Sequence, residues 1–242
     1  MRFFRLLKGD LFFLARYGLF LVYAVFIAVY LIMLHYIPGD TGIFVMKLLV
    51  FSDPAAMGLF FMGAVVLLEK SQRVNCSLAV SPVTVNEYIA SKAVAFLLTG
   101  LSVALIIAFG SGNGLTSPGL IGIAGGSLLF SMGGLFVASK THSLNQFIIF
   151  SLPVEVFISA PGFLYAFGKI KSPFWLINPG VAAMNLLFDK NWMENSIESW
   201  AEGSVAYLWL SVASLCAWIG IVFFITKRAV SRMFRELGGG SL

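Results

Sequence analysis

Six apolar runs, each about as long as a bilayer is thick, leave this chain few folds to choose from. The hydrocarbon core of a membrane is roughly 30 Å deep, and a helix rising ~1.5 Å per residue crosses it in about 20 residues. On that ruler the spans lie at 17–36 and within 43–68, 92–110, 118–139, 144–168 and 204–226. Of the 242 residues, 59% are hydrophobic and 11% charged, and mean hydropathy is +0.93. A soluble domain needs more polar surface than that, so the bilayer is the solvent for most of the chain. The expected fold is all-α: one polytopic membrane domain, 1–242, with six transmembrane helices.

The segments between the runs add detail. In residues 1–16, Arg2, Arg5 and Lys8 recur every third position, while Phe3, Phe4, Leu6, Leu7 and Leu11 fill much of the remaining wheel. That pattern suits a short helix lying in the membrane interface. A secretory leader would also start basic and turn apolar, but the run 17–36 is too long for one and ends without a small-x-small cleavage site. Residues 169–203 hold a short apolar piece, 174–188, interrupted by Asn178-Pro179-Gly180. It is too short to cross and reads as an external re-entrant or interfacial segment, with Trp175, Trp192 and Trp200 suited to the interface.

Charge sets the orientation. The formal net charge is +5, but the basic residues flank apolar runs and form no dense patch, which points to topology and anionic lipid headgroups rather than nucleic acid. With six spans, twelve of the 16 Lys and Arg residues fall on the face shared by the termini. Lys47, Lys169, Lys171 and Lys190 fall on or toward the other. The positive-inside rule then puts both termini and the interval 69–92 in the cytoplasm of a prokaryotic cell.

Several chemistries lack their residues. No G-x-x-x-x-G-K-[ST] occurs, and the glycine cluster 110–114 has no lysine. His35 and His142 are expected at opposite faces and share no metal, and neither G-x-S-x-G nor H-E-x-x-H is present. Cys76 lies in the polar interval and Cys216 in an apolar run, so they form no disulfide framework. The chain also has no internal repeat of the kind that builds many secondary transporters. The expectation is a chain with no catalytic site, metal or cofactor of its own.

The polar interval, EKSQRVNCSLAVSPVTVNEYIASK at 69–92, is the densest polar cluster outside the region just before the last apolar run. Glu69-Lys70 close the second span. Ser81-Pro82 stops the short helix that 71–80 could form, because proline disfavours helix at the residue before it. Thr84 is a fitting N-cap, with Glu87 three residues on completing a capping box for the third span. A compact capped element between two membrane helices suits docking to a partner; an ordinary solvated hairpin is the other reading of the same residues.

Glu69-Lys70, Arg73, Leu78, Ser81-Pro82-Val83-Thr84, Glu87-Tyr88-Ile89 and Ser91-Lys92 resemble the cytoplasmic loop of type 2 ABC exporter permeases, in particular the small fluoroquinolone-export-like ones. Lys8-Gly9-Asp10-Leu11 with Arg16-Tyr17, and Ser52-Asp53-Pro54 with Gly58, extend the likeness. Val74-Asn75 stands where many members carry Gly-Thr. The resemblance implies a permease subunit that pairs as a homodimer or heterodimer and carries an amphipathic or drug-like substrate, as in multidrug efflux. It implies a separate ABC ATPase subunit that holds the ATP and Mg. It also implies that 69–88 is the coupling helix, with Glu69, Lys70, Arg73, Leu78, Ser81, Pro82, Glu87 and Tyr88 meeting that ATPase. An ATP-independent carrier or channel, or a non-transporting scaffold, would not need this loop.

Two acids lie inside apolar runs, and intramembrane carboxylates are costly. Asp53 is 16 residues from Glu69, roughly 24 Å along a helix, and Glu155 is 12 from Ser143, roughly 18 Å. Both are candidate substrate-path residues at similar height. A helix break at Asp53-Pro54 and a bond from Glu155 to a neighbouring helix are the structural alternatives. Pro153 and Pro161-Gly162 should bend the fifth span and free backbone carbonyls. Gly122, Gly125, Gly126, Gly133 and Gly134 mark close helix packing.

Overall fold

The computed structural model describes residues 2–37, 39–53, 57–74, 81–112, 114–170, 172–188 and 204–237. Among these every regular element is helical. In chain order they are α1 (Arg2–Arg16), α2 (Leu19–His35), α3 (Asp40–Asp53), α4 (Leu59–Ser71), α5 (Val85–Gly110), α6 (Ser117–Lys140), α7 (Leu144–Ala166), a 3-10 turn (Pro173–Ile177), α8 (Pro179–Leu187) and α9 (Ser204–Leu237).

Four of these, α5, α6, α7 and α9, are long and apolar enough to cross a membrane. The pair α1 and α2, bent by 64° to each other, raises the number to as many as five. The bend falls at Gly18, whose φ of 72° is a left-handed conformation that glycine adopts without a Cβ clash. Where the sequence ruler draws one span within 43–68, the structure has two helices of 14 and 13 residues on either side of 54–56. Helix α3 is described as far as Asp53, and residues 54–56 lie outside the described residues.

Helix α6 is the centre of the bundle, with α4, α5, α8 and α9 packed on it. Its glycines permit that. A Cβ on Gly122 would stand 2.8 Å from the Ala183 carbonyl of α8, and one on Gly125 would stand 3.0 Å from Leu215 of α9. A Cβ on Gly134 would collide with the Leu59 carbonyl of α4. Gly126, in contrast, is buried beside open space.

All nine residues of α8 are buried. Its start is linked to the proline in α7. Pro161 has no N–H, so the Phe157 carbonyl four residues back has no partner in its own helix. The Asn178 side-chain amide donates to that carbonyl at 2.9 Å. The Asn178 Oδ1 meanwhile accepts from the Gly180 and Val181 N–H groups, capping α8. Further along, Asn185 accepts from the Tyr165 hydroxyl at 2.7 Å and donates to Ser211 Oγ at 2.8 Å, tying α8 to α7 and α9. The Trp218 indole N–H donates to the Ile177 carbonyl ahead of the helix. The broken apolar piece legible at 174–188 is thus an exposed turn, with Phe174, Trp175 and Ile177 outward, followed by an internal helix.

The glycine contacts separate two substitutions that are chemically identical. Gly134→Ala forces α6 from α4 and lowers the apparent melting temperature in detergent by several degrees. Gly126→Ala meets no atom and gains helix propensity of about 0.5–1 kcal/mol, leaving that temperature unchanged or raised. Thermal unfolding followed by circular dichroism checks both; equal effects would contradict the packing described.

Candidate functional site

The chain's buried ionic cluster forms where α1, α4 and α5 meet. Glu69 comes from the last turn of α4. Tyr88, Ser91 and Lys92 come from the first turns of α5, spaced i, i+3 and i+4 so that all face one way. The opening of α5 is held by the expected capping box: Thr84 N–H donates to Glu87 at 2.9 Å and Glu87 N–H donates to Thr84 Oγ1 at 3.2 Å.

The Lys92 ammonium donates to Glu69 Oε1 at 2.5 Å and to Asp10 Oδ1 on α1 at 2.9 Å. Ser91 Oγ donates to the other Asp10 oxygen at 2.7 Å, and the Tyr88 hydroxyl donates to Glu69 Oε2 at 3.0 Å. Phe234 of α9 packs at a tilt against Tyr88 with ring centroids 5.1 Å apart. Lys92 is 2% exposed and Tyr88 1%. An ammonium in this setting is tolerable only because two carboxylates meet it, and each carboxylate has a second donor.

Helix α1 grips the polar loop at two further points. The Arg2 guanidinium donates to the Pro82 carbonyl at 3.2 Å. At the far end of α1, Gln72 Nε2 donates to the Tyr17 hydroxyl at 2.5 Å. Lys70 turns the other way and donates to the carbonyls of Ala138, Ser139 and Thr141, closing the end of α6.

The residues singled out in the sequence therefore divide into three groups. Glu69, Lys70 and Tyr88 point inward and hold the base of the loop. Arg73, with φ 57°, and Pro82 are exposed, while Ser81 and Glu87 are partly so. Leu78 lies outside the described residues. Asp53 is buried, with neither carboxylate oxygen hydrogen-bonded among the described residues. Glu155 is half-buried on α7, in line with Ser151 and Ser159 one turn to either side, and makes no hydrogen bond to Asp53. Three members of the cluster were not marked as site residues from sequence, Asp10, Ser91 and Lys92. Asp10 carried a signal, being the only acid in the first 39 residues.

The fold and the cluster define a class: a multi-pass helical membrane protein whose first helix is ion-paired to the base of a polar loop. Two curated proteins are similar to it, the fluoroquinolones export permease proteins of Mycobacterium tuberculosis strains CDC 1551 and H37Rv. Each is 28% identical over 169 residues, covering 68% of this chain and 70% of the relative. The likeness supports the resemblance to an ABC-type export permease carried by the loop residues. No protein-family model and no solved structure matches the chain.

Removing the central cation tests the cluster. Lys92→Ala leaves Glu69 and Asp10 facing each other with no countercharge, at a cost of about 3–5 kcal/mol. The triple change Lys92→Met, Glu69→Gln, Asp10→Asn removes every charge and recovers much of that loss. Apparent melting temperatures in detergent measure both, and a mild Lys92→Ala would show that the ion pairs contribute little.

Proposed function

We propose that the chain is the permease subunit of an ATP-driven ABC exporter, forming the membrane path for an amphipathic or drug-like substrate. The energy comes from a separate ABC ATPase subunit, which holds the ATP and Mg, and the permease acts as a homodimer or heterodimer. The observation that carries this reading is the grip of α1 on the base of the polar loop. A loop that only joined two helices would have no use for a buried ion pair at its root. A loop that receives force from a partner needs a rigid root, so that displacement reaches the helices instead of being absorbed in the hairpin. The names of the two relatives point the same way.

In this reading α3 and α4 together form one span, giving six with α2, α5, α6, α7 and α9. Helix α1 lies in the cytoplasmic interface, both termini are cytoplasmic, and the turn at Pro173–Ile177 with α8 is an external re-entrant segment. The exposed Arg73 and Pro82 meet the ATPase, whereas Glu69 and Tyr88 transmit from behind them. Asp53 and Glu155 are the acids placed to favour a cationic or zwitterionic substrate along the path.

Labelling of single cysteines in intact cells tests the orientation: positions 73 and 232 react only from the cytoplasm and position 195 only from outside. An inward-reacting position 195 overturns the topology.

Coupling is tested with the ATPase co-expressed. Arg73→Glu, at an exposed position, lowers substrate-stimulated ATP hydrolysis roughly tenfold, as expected for about 1.4 kcal/mol at a docking surface, while melting stays at the wild-type value. Unchanged ATPase capture and turnover in both Arg73→Glu and Pro82→Ala would remove the basis for this function.

A further inference from the structure

At the same end of the bundle as the ionic cluster, but between α6 and α9, is a cavity of about 480 Å³. Its volume falls within the range of ligand pockets, roughly 300–1,000 Å³. Phe136, Ile225, Ala229 and Met233 form its apolar wall, and Lys140, Arg228 and Arg232 bring three positive charges to it. All three cations are exposed, and among the described residues none makes an ion pair. Other ionisable groups at the pocket are His142 and Glu236, and Glu236 lies at the C-terminal end of α9, where its charge acts on Lys70.

The direction of the cations matters more than their number. A lysine or arginine at a helix end ordinarily extends its charge toward water. Here two of them fold back one turn. The Lys140 ammonium lies 4.5 Å from the centroid of the Phe136 ring, and the Arg228 guanidinium 4.3 Å from that of Phe224. Both aromatic partners are four residues earlier, so Lys140 at the end of α6 and Arg228 in the last third of α9 both lie back against the apolar stretch of their helices. They do so on adjacent helices that run in contact. The result is two cations without an ion pair among the described residues, set against the apolar stretch of two touching helices, with Arg232 one turn further along α9. Phe224 and Ile225 continue outward from the pocket as exposed apolar surface, 54% and 44% accessible.

We propose that this pocket binds the phosphodiester headgroup of an anionic phospholipid, with Lys140, Arg228 and Arg232 around the phosphate and the acyl chains along Phe224 and Ile225. A basic recess between membrane helices, opening sideways onto an apolar face, matches a ligand that is anionic at one end and hydrocarbon at the other. A soluble anion would use the charges but leave the apolar rim uncovered. The inference requires these helices to lie in a bilayer and does not depend on the transport reading.

The test is native mass spectrometry of the detergent-solubilised full chain, titrated with phosphatidylglycerol or with phosphatidylcholine. The expected result is one tightly retained phosphatidylglycerol per chain, preferred over phosphatidylcholine by roughly tenfold or more. Lys140→Gln, Arg228→Gln and Arg232→Gln together abolish the preference, with circular dichroism and gel-filtration elution unchanged. Arg5→Gln, Lys8→Gln and Arg16→Gln, which remove as many exposed charges from α1, leave it intact. Should the pocket triple variant fail to fold, Arg228→Gln alone weakens retention about threefold. Inorganic phosphate at millimolar concentration does not displace the lipid. Equal retention of the two lipids, retention surviving the pocket variants, loss in the α1 variant, or displacement by inorganic phosphate each overturns the proposal.

Discussion

In a membrane the chain has no water with which to satisfy its own backbone, and most of this architecture follows from that deficit. Helices solve it along their length but leave unpaired carbonyls at their ends and wherever proline removes a donor. This protein closes those gaps with side chains from other elements. Lys70 of α4 supplies three bonds at the end of α6. Asn178 takes the carbonyl that Pro161 orphans in α7 and, with its other atom, caps α8. Each repair also serves as a tertiary contact, so satisfying the backbone and fixing the helix arrangement are one event. The internal helix α8 is possible for this reason: its start is capped by the same residue that docks it.

Charge is handled by the same logic at higher stakes. Lys92, Glu69 and Asp10 are brought in together, with Tyr88 and Ser91 filling the remaining carboxylate positions. The pairing joins three helices that are far apart in sequence, since 81 or more residues separate Asp10 from Ser91 and Lys92. A connection of this kind is rigid because either carboxylate left alone would be a buried unpaired charge. It gives the polar loop a fixed base from which exposed residues such as Arg73 and Pro82 project. Lys140, Arg228 and Arg232 show the contrasting case, exposed cations that form no ion pair among the described residues.

The sequence by itself determined the class. Run length and composition dictate membrane helices, and proline and cap residues marked two boundaries correctly: the Thr84–Glu87 box and the break at Asn178-Pro179. These features are local, decided by backbone chemistry within a few residues. The small residues of α6 likewise announced close packing, though not which neighbour each would meet. Tertiary structure alone decided that Glu69 and Tyr88 are buried, because burial depends on helices contributed from elsewhere in the chain. It alone brought Asp10 to Lys92, a pairing with no local signature beyond one acid in a basic, apolar segment. Hydropathy ran the second span unbroken through Asp53-Pro54, and only the proline marked a helix break there as an alternative. Periodicity reports what solvent each residue prefers; which charge answers which is settled only when the helices meet.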